Sequence, residues 1–512
     1  MSRFAFKLTP PALLKASLFA TGLAGIVSEY VLSTLATYFL GNSVFQWTIT
    51  VSLMLFAMGL GARLSRYLHA RLISAFIILE IILSLFIALL TVIIYTLMLM
   101  QVPLAVFLYA MAVLLGTLIG LEIPLAMRIN EDYEELRVNV ANVLEKDYWG
   151  ALLGGALFAF ILLPFVGLET IPVWLAGINF VVATMLFFGF YQRVMDERRW
   201  LIYAFPTVLI VLSGAGLFVT DIASFAEQSR FRDRIIFSQQ TAYQKIVLTE
   251  FAGDYWLYLN GNEQFSSVDE DRYHEVMVHM PLLLRRQVPQ RVLILGGGDG
   301  LAARELVKYK SLKTLVVVDL DPAMTGLALN HPVMLALNDS AFHDNRVSLI
   351  NTDAWTYIDS CKAYYDLIIC DFPDPRSAEL SRLYSREFYE LCRHRLRADG
   401  QLVTQAGSPF FAPRAFAAIG KTLAAVFREV RFMQVNMPTL GDWGFVIAGK
   451  KLAALPQRVA LPVATRFIDE AGWQRFFLFN KGERPDTANV EINRLRRPIL
   501  ERYYRDSNWE FF

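Results

Sequence analysis

The 41 residues from 81 to 121 carry no charged side chain. A helix of about 20 apolar residues crosses a hydrocarbon layer of roughly 30 Å, so this stretch alone has room for two crossings. Three more uncharged runs follow at 148–168, 170–192 and 200–220. With the less uniform stretches ahead of residue 81, the pattern predicts seven spans, at about 12–38, 44–66, 72–99, 103–127, 148–168, 170–191 and 200–220. A removable leader would account for one apolar stretch, not seven.

Charge marks where this region stops. Residues 1–220 hold 12 Lys+Arg and 12 Asp+Glu, whereas residues 221–512 hold 36 and 35, the density of an ordinary globular domain. The chain is therefore expected to change character between residues 220 and 221. Its net charge of +1 offers no basic surface to nucleic acid. The three cysteines, Cys361, Cys370 and Cys392, lie in the second part and form no CxxC pair. Neither a disulfide framework nor a thiolate metal site is expected, and unpaired thiols fit a reducing compartment. Glu29 and Glu122 sit inside apolar runs. An intramembrane acid is costly and faces a bundle interior, which suits a cation site or a packing hydrogen bond. Glu80 and Glu169, near span ends, are expected to be wet.

The second part alternates strand-like and helix-like segments. "RVLILGGGDG", "TLVVVDLD", "RVSLINTD", "YDLIICDF" and "GQLVTQAG" are short apolar runs, most of them separated by helical spacing. That alternation predicts a parallel sheet with helices on both faces, whose ligands bind at the carboxyl ends of the strands. Asp299, Asp319, Asp353 and Asp371 all fall on that rim. Gly296, Gly297 and Gly298 allow a tight turn and close approach to a ligand. Asp319, 23 residues after Gly296, stands where an acid takes ribose hydroxyls. The acidic Asp299 at the loop tip would repel a pyrophosphate, which disfavours NAD and FAD and favours a cationic nucleoside such as a sulfonium. Asp353 ends the third strand, where the base of a nucleoside would lie. Asp371 and Asp374, in "CDFPDP", suit binding and deprotonating an amine. Asp321 reads as the N-cap of "PAMTGLALN". Residues 233–268 alternate polar and apolar and suggest a small antiparallel β unit. His69, His279, His331, His343 and His394 are scattered and read as surface or packing residues.

From about Tyr243 to Gly444 the ordered motifs are "YQ" (243–244), "LNGNEQ" (259–264), "DEDRYHE" (269–275), "GGGDG" (296–300), "VVDLD" (317–321), "TDA" (352–354), "YDLIICDFPDP" (365–375), "LYSREFY" (383–389) and "QAGSP" (405–409). Together they resemble the spermidine synthase, or polyamine aminopropyltransferase, family, and the N-terminal half resembles the membrane domain fused to some bacterial members. The resemblance implies an all-α transmembrane bundle (1–220), a small β unit (221–290), a Rossmann-like sheet of the S-adenosylmethionine-dependent methyltransferase type (291–450) and a C-terminal extension (451–512). It implies transfer of an aminopropyl group from decarboxylated S-adenosylmethionine, a co-substrate, to putrescine or a related amine, with no metal or other cofactor, in a homodimer. Carried over, Asp371 would accept the amine proton, Asp319 and Gln244 would hold the nucleoside, and Asp353 and Ala354 the adenine. Asp299 would bind the aminopropyl ammonium; Tyr273, His274 and Asp374 would line the diamine side. Gln264 and Gln405, within the same motifs, are further candidates.

Departures from the family pattern are Asn260 for the Asp of LDG, Phe372 between the two acids, Arg376–Ala378 for a Gly–Pro-type continuation, and Leu440 for an aromatic residue. Phe372 is expected to narrow or grease the gate between the acids. The competing readings are a methyltransferase acting on a lipid or quinone, which the combination of Asp371, Asp374, His274 and Gln244 disfavours, and a polyamine sensor or transporter. Orientation carries a conflict. Arg3, Lys7 and Lys15, then Arg63, Arg66 and Arg71, then Arg128, Arg137 and Lys146, then Arg193, Arg198 and Arg199 all mark one side as cytoplasmic. Seven crossings would then put residues 221–512 outside, whereas the nucleoside donor is cytoplasmic. The expectation is an inner-membrane, multi-pass protein with a cytoplasmic catalytic domain, reached through a re-entrant segment or an external N-terminus.

Overall fold

The computed structural model describes residues 10–41, 43–100, 102–194, 198–285, 288–455 and 461–507. The chain divides into two compact units between Ile235 and Ile236.

The first unit is helical: α1 (Pro10–Leu40), α2 (Ser43–Leu64), α3 (Leu72–Leu99), α4 (Leu104–Asn130), α5 (Leu136–Leu157), a short α6 (Leu163–Phe165) reached through a π turn, α7 (Ile171–Gly189) and α8 (Arg198–Arg230). Seven spans among the described residues are long and apolar enough to cross a membrane. Small residues let their backbones approach, as expected where no hydrophobic effect drives helices together: a Cβ at Gly120 would lie 2.1 Å from the Met58 carbonyl oxygen. The fifth span starts at Leu136 rather than 148, and position 220/221 falls within α8. Glu80 is not wet. It lies more than two turns inside α3, on the buried face shared with Phe76, Ile77 and Ser84, and is fully buried. Of the basic residues that bear on orientation, Arg3 and Lys7 lie outside the described residues.

The second unit opens with a four-stranded antiparallel sheet in the order β1 (Arg234–Gln240), β2 (Lys245–Phe251), β3 (Asp254–Leu259), β4 (Asn262–Ser266). A seven-stranded sheet follows, made of β5 (Arg291–Gly296), β6 (Thr314–Asp319), β7 (Val347–Asn351), β8 (Tyr365–Asp371), β9 (Leu396–Gln405), β10 (Glu429–Met437) and β11 (Gly441–Gly449) in the order β10-β11-β9-β8-β5-β6-β7. This is the Rossmann-like sheet expected from the motifs, with one correction: β11 runs antiparallel to both of its neighbours. Only three residues separate β10 from β11, too few for the crossover that a parallel pair needs. Both faces of the sheet are covered. Leu293, Leu295, Ile368 and Cys370 enter one core, and Val292, Ile294, Leu367 and Ile369 enter the other, the period of two expected of a doubly buried strand. Strand order reverses at β5, so the carboxyl ends of β5 and β8 flank the crevice where such sheets bind ligands.

Candidate active site

Gly296 ends β5 and pairs with Asp371 at the end of β8. The two backbones are so close that a Cβ at Gly296, whose φ is +88°, would lie 1.9 Å from the Asp371 carbonyl oxygen. Only glycine fits there. A Cβ at Gly298 would meet the Asp319 carboxylate at 2.5 Å, and the Gly298 N–H donates to Asp319 Oδ2 at 3.1 Å. The glycines thus bring the loop down onto two carboxylates from neighbouring strands.

Asp319 also accepts from the Asp321 N–H at 2.9 Å. Asp321 caps the helix Pro322–Asn330 through the Ala323 N–H, as the sequence suggested. Its second oxygen receives the Thr241 hydroxyl (2.8 Å) and the Gln244 amide (3.1 Å). Gln244 is thereby tied to the acid-bearing turn after β6. Asp353 accepts from the Thr356 N–H at 3.0 Å as the N-cap of the helix Ala354–Ser360, and it pairs with Arg382. Ala354 is buried as the first residue of that helix. Gln264 turns its amide onto the Asn262 and Glu263 carbonyls.

On the other flank, α9 (Glu270–Leu283) carries Tyr273 and His274. The Tyr273 hydroxyl donates to Asp371 Oδ1 at 2.7 Å. Burial and the Asp371 charge keep that phenol protonated, so it serves Asp371 as a donor. His274 Nδ1 lies 3.0 Å from Glu270 Oε2. Burial opposes the charged ring, but the Glu270 hydrogen bond and charge, with Asp299 and Asp371 beyond, push the imidazole up to about 9. His274 is therefore an imidazolium at neutral pH.

Burial acts on the acids in the opposite sense. Burial pushes Asp299 up to about 6; the His274 charge opposes the rise and Asp371 adds to it. Burial likewise pushes Asp319 up to about 6, against the Asp321 N–H and with the Asp299 charge. Asp371 is raised by burial and by Asp319, and held back by His274 and Tyr273.

Asp374 is buried and receives the Tyr504 hydroxyl at 2.6 Å and the Gln405 amide at 3.4 Å. Gln405 also donates to the Phe372 carbonyl at 2.7 Å and holds the Gly407 N–H at 2.8 Å. Phe372 does not narrow the gate. Its ring packs into the core against Tyr384 and Phe388, with centroids 6.1 and 5.8 Å away.

Several participants were missed in the sequence. Tyr504 comes from the extension that carried no motif. Arg376 lies over its ring, 5.2 Å from the centroid, and bonds Asn262. Behind α9, Arg304 on α10 (Leu301–Val307) grips Glu270 with two hydrogen bonds of 2.7 and 2.9 Å and reaches Glu305 at 2.9 Å. His279, read as a packing residue, bridges Glu305 (2.9 Å) and Tyr309 (2.7 Å) in that fully buried network. The i,i+4 spacing of Glu270 and His274 was the one local signal available.

Residues 270–457 match the family model of the spermine/spermidine synthase domain. The chain is 39% identical to polyamine aminopropyltransferase 2 of Aquifex aeolicus over 492 residues, covering 96% of this chain and 98% of that protein. It is 37% identical to the polyamine aminopropyltransferase of Oceanobacillus iheyensis over 495 residues, covering 95% and 96%. A solved spermidine synthase in complex with the transition state analogue AdoDATO is similar over 48% of this chain and 86% of its own, at 26% identity and a TM-score of 0.45.

Proposed function

Because this chain belongs to the spermine/spermidine synthase family of polyamine aminopropyltransferases, we propose that it moves the aminopropyl group of decarboxylated S-adenosylmethionine to putrescine or a related amine, from a catalytic unit anchored in the inner membrane by its helices. The observation that carries this reading is the convergence of Asp299, Asp319 and Asp371 on one strand rim, each made reluctant to ionise by burial and by its neighbours. Such a site is completed by cations. A sulfonium nucleoside and a protonated amine supply them.

In the reaction, the free amine nitrogen attacks the methylene next to the sulfonium sulfur. The carbon–sulfur bond breaks with its electron pair on sulfur, leaving neutral methylthioadenosine. The proton shed by nitrogen goes to the Asp371 carboxylate. Tyr273 fixes the orientation of that carboxylate, and the His274 charge opposes the upward push that burial gives it. Asp319 takes the ribose hydroxyls, with Gln244 held beside it through Asp321. Asp353 and Ala354 flank the base. Asp299 draws the aminopropyl ammonium, which presents the methylene rather than the methyl group. Asp374 and Gln405 receive the far end of the acceptor.

The test is full-length protein in detergent, given the donor and a panel of amines, with methylthioadenosine followed by mass spectrometry. Release that requires an amine is expected, and the best amine names the acceptor. Absence of release with the donor shown bound would overturn the reading. Tyr504→Phe should raise KM for the amine roughly tenfold with kcat little changed, because Asp374 loses a buried donor worth about 1–2 kcal/mol. An equal fall in kcat would instead put Tyr504 on the reacting atoms.

A cytoplasmic catalytic unit predicts that the exposed Leu478, changed to Cys, resists an impermeant maleimide in intact cells and reacts after permeabilisation. Tyr67→Cys, at the end of the second span, should react from outside if all seven helices cross. Its protection would mean that one does not. Labelling of Leu478→Cys in intact cells would place the catalytic unit outside, as the loop arginines alone imply.

A further inference from the structure

The extension after β11 closes a pocket of about 310 Å³ against α9, β10 and β11, and none of the rim acids lines it. Arg272 enters it from α9, and Arg475 from the 3-10 turn Trp473–Phe477. Both guanidiniums lie over the Phe467 ring, 4.9 and 5.0 Å from its centroid. Two cations that share one ring are at most about 10 Å apart, within reach of one small ligand. Stacking occupies the face of a guanidinium and leaves its N–H edge for hydrogen bonds. Arg272 gives one N–H to the Asn436 carbonyl at 3.2 Å. Among the described residues, the Arg475 guanidinium makes no hydrogen bond and neither arginine forms an ion pair. Carboxylates are at hand but turned to other donors. Glu483 accepts from the Asn480 amide at 3.0 Å and from the Gln434 amide at 3.4 Å. Asp442 accepts from the Asn436 amide at 2.9 Å, and Asp271 from the Arg272 backbone N–H at 2.9 Å.

Gln434, on β10, adds a second requirement. Its amide nitrogen donates to the Leu478 carbonyl at 2.8 Å, while its oxygen is buried with no hydrogen-bond partner. A buried acceptor left open is costly, and a hydroxyl or N–H from a ligand meets it. The pocket thus offers two cationic forks and one acceptor. Guanidinium forks match the oxygens of carboxylates and phosphates. The volume stands at the small end of ligand sites, roughly 300–1,000 Å³, and admits a metabolite-sized anion. We propose that this pocket is a second binding site, for a small polyanion with two carboxylate or phosphoryl groups and a hydroxyl. Its anionic groups meet Arg272 and Arg475, and its hydroxyl meets Gln434. The acid rim has the opposite sign and repels such a ligand.

Full-length protein in a neutral detergent, at an ionic strength fixed with sodium chloride, is titrated by calorimetry with citrate and with pyrophosphate. One saturable site per chain is expected for at least one of them, and the tighter of the two tells carboxylate from phosphoryl recognition. Arg475→Met keeps a long side chain over Phe467 and Phe476 and removes the charge. It should weaken binding about tenfold to a hundredfold, the effect of losing a charged hydrogen bond, with the unfolding midpoint of the unliganded protein unchanged. In the wild type, phenylglyoxal labelling of the exposed Arg475, mapped by peptide mass spectrometry, should slow about tenfold at a probe concentration ten times its Kd. Binding of neither probe, labelling of Arg475 that both leave unchanged, or a folded Arg475→Met variant that binds as tightly as the wild type would overturn the proposal. If the variant fails to fold, protection in the wild type decides alone. Aminopropyl transfer enters none of these readouts, so the outcome is independent of the catalytic reading.

Discussion

Asp371→Asn is expected to lower kcat/KM by about 10²–10⁴. The substitution is isosteric, keeps an oxygen for the Tyr273 hydroxyl, and leaves the backbone contact with Gly296 intact. What it removes is the group proposed to take the amine proton. Donor affinity, measured by calorimetry without amine, should stay within about threefold, since the ribose and base contacts proposed for Asp319 and Asp353 are untouched. A fall of less than tenfold would show that solvent, not Asp371, carries the proton. The wild-type rate should have an acid limb, falling as pH drops through about 6, where Asp299 and Asp319 take up protons and would lose the hold on the cationic donor proposed for them. The same shifts act on stability with a definite sign. Both groups titrate higher in the folded state than the ordinary 3.8. Their contribution is therefore fully present below that value and lost as pH rises through about 6. The empty site is under electrostatic tension at neutral pH, and a bound cation relieves it. Thermal stabilisation by the donor should accordingly be larger at pH 7.5 than at pH 5.

Arg304→Met is expected to destabilise the catalytic unit by about 3–5 kcal/mol, the usual effect of removing one member of a buried ion pair. Arg304 is 2% exposed and holds Glu270 and Glu305 together. Its loss leaves two buried carboxylates, each with a histidine and no guanidinium. Thermal unfolding of the full chain in detergent should show the transition of this unit moving down by roughly 6–20 °C. The pH dependence identifies the cause. Burial alone would raise Glu270 and Glu305, but the histidines, Arg304 and, for Glu305, Lys308 bring both down to about 2. Their stabilisation is present above the ordinary carboxylate value and is lost only as pH falls through about 2. His274, raised to about 9, contributes stability below its ordinary 6.5 that is lost as pH rises through 9. In the variant, the acid-side loss should begin at a higher pH. An unchanged acid limb would show that Arg304 acts by packing alone.

Periodicity and composition made the helical spans, β5 to β9 and the acid rim legible, because each depends on a few consecutive residues. The antiparallel β11 was not, since the sign of a strand is set by its connection rather than by its own side chains. Glu80 looked like a span-end residue because its position along the chain says nothing about which helix face is covered. Phe372 was misplaced for the same reason: a residue between two site acids can still turn into the core. The His279–Glu305–Arg304–Glu270 chain draws its members from two helices, and no local pattern announces that they meet. Tyr504 was the least accessible, because its partner lies 130 residues earlier and the segment between holds no motif of its own past the last strand.

That long reach has a consequence in time. At about 5–20 residues per second, Tyr504 leaves the ribosome roughly 7–26 s after Asp374. Through that interval the strands bearing the acids are already synthesised, yet Asp374 lacks the Tyr504 hydroxyl and the part of the crevice proposed to take the amine is unfinished. The nascent chain can dispose its helices first and becomes a complete transferase only when synthesis has passed the helix Leu500–Arg505.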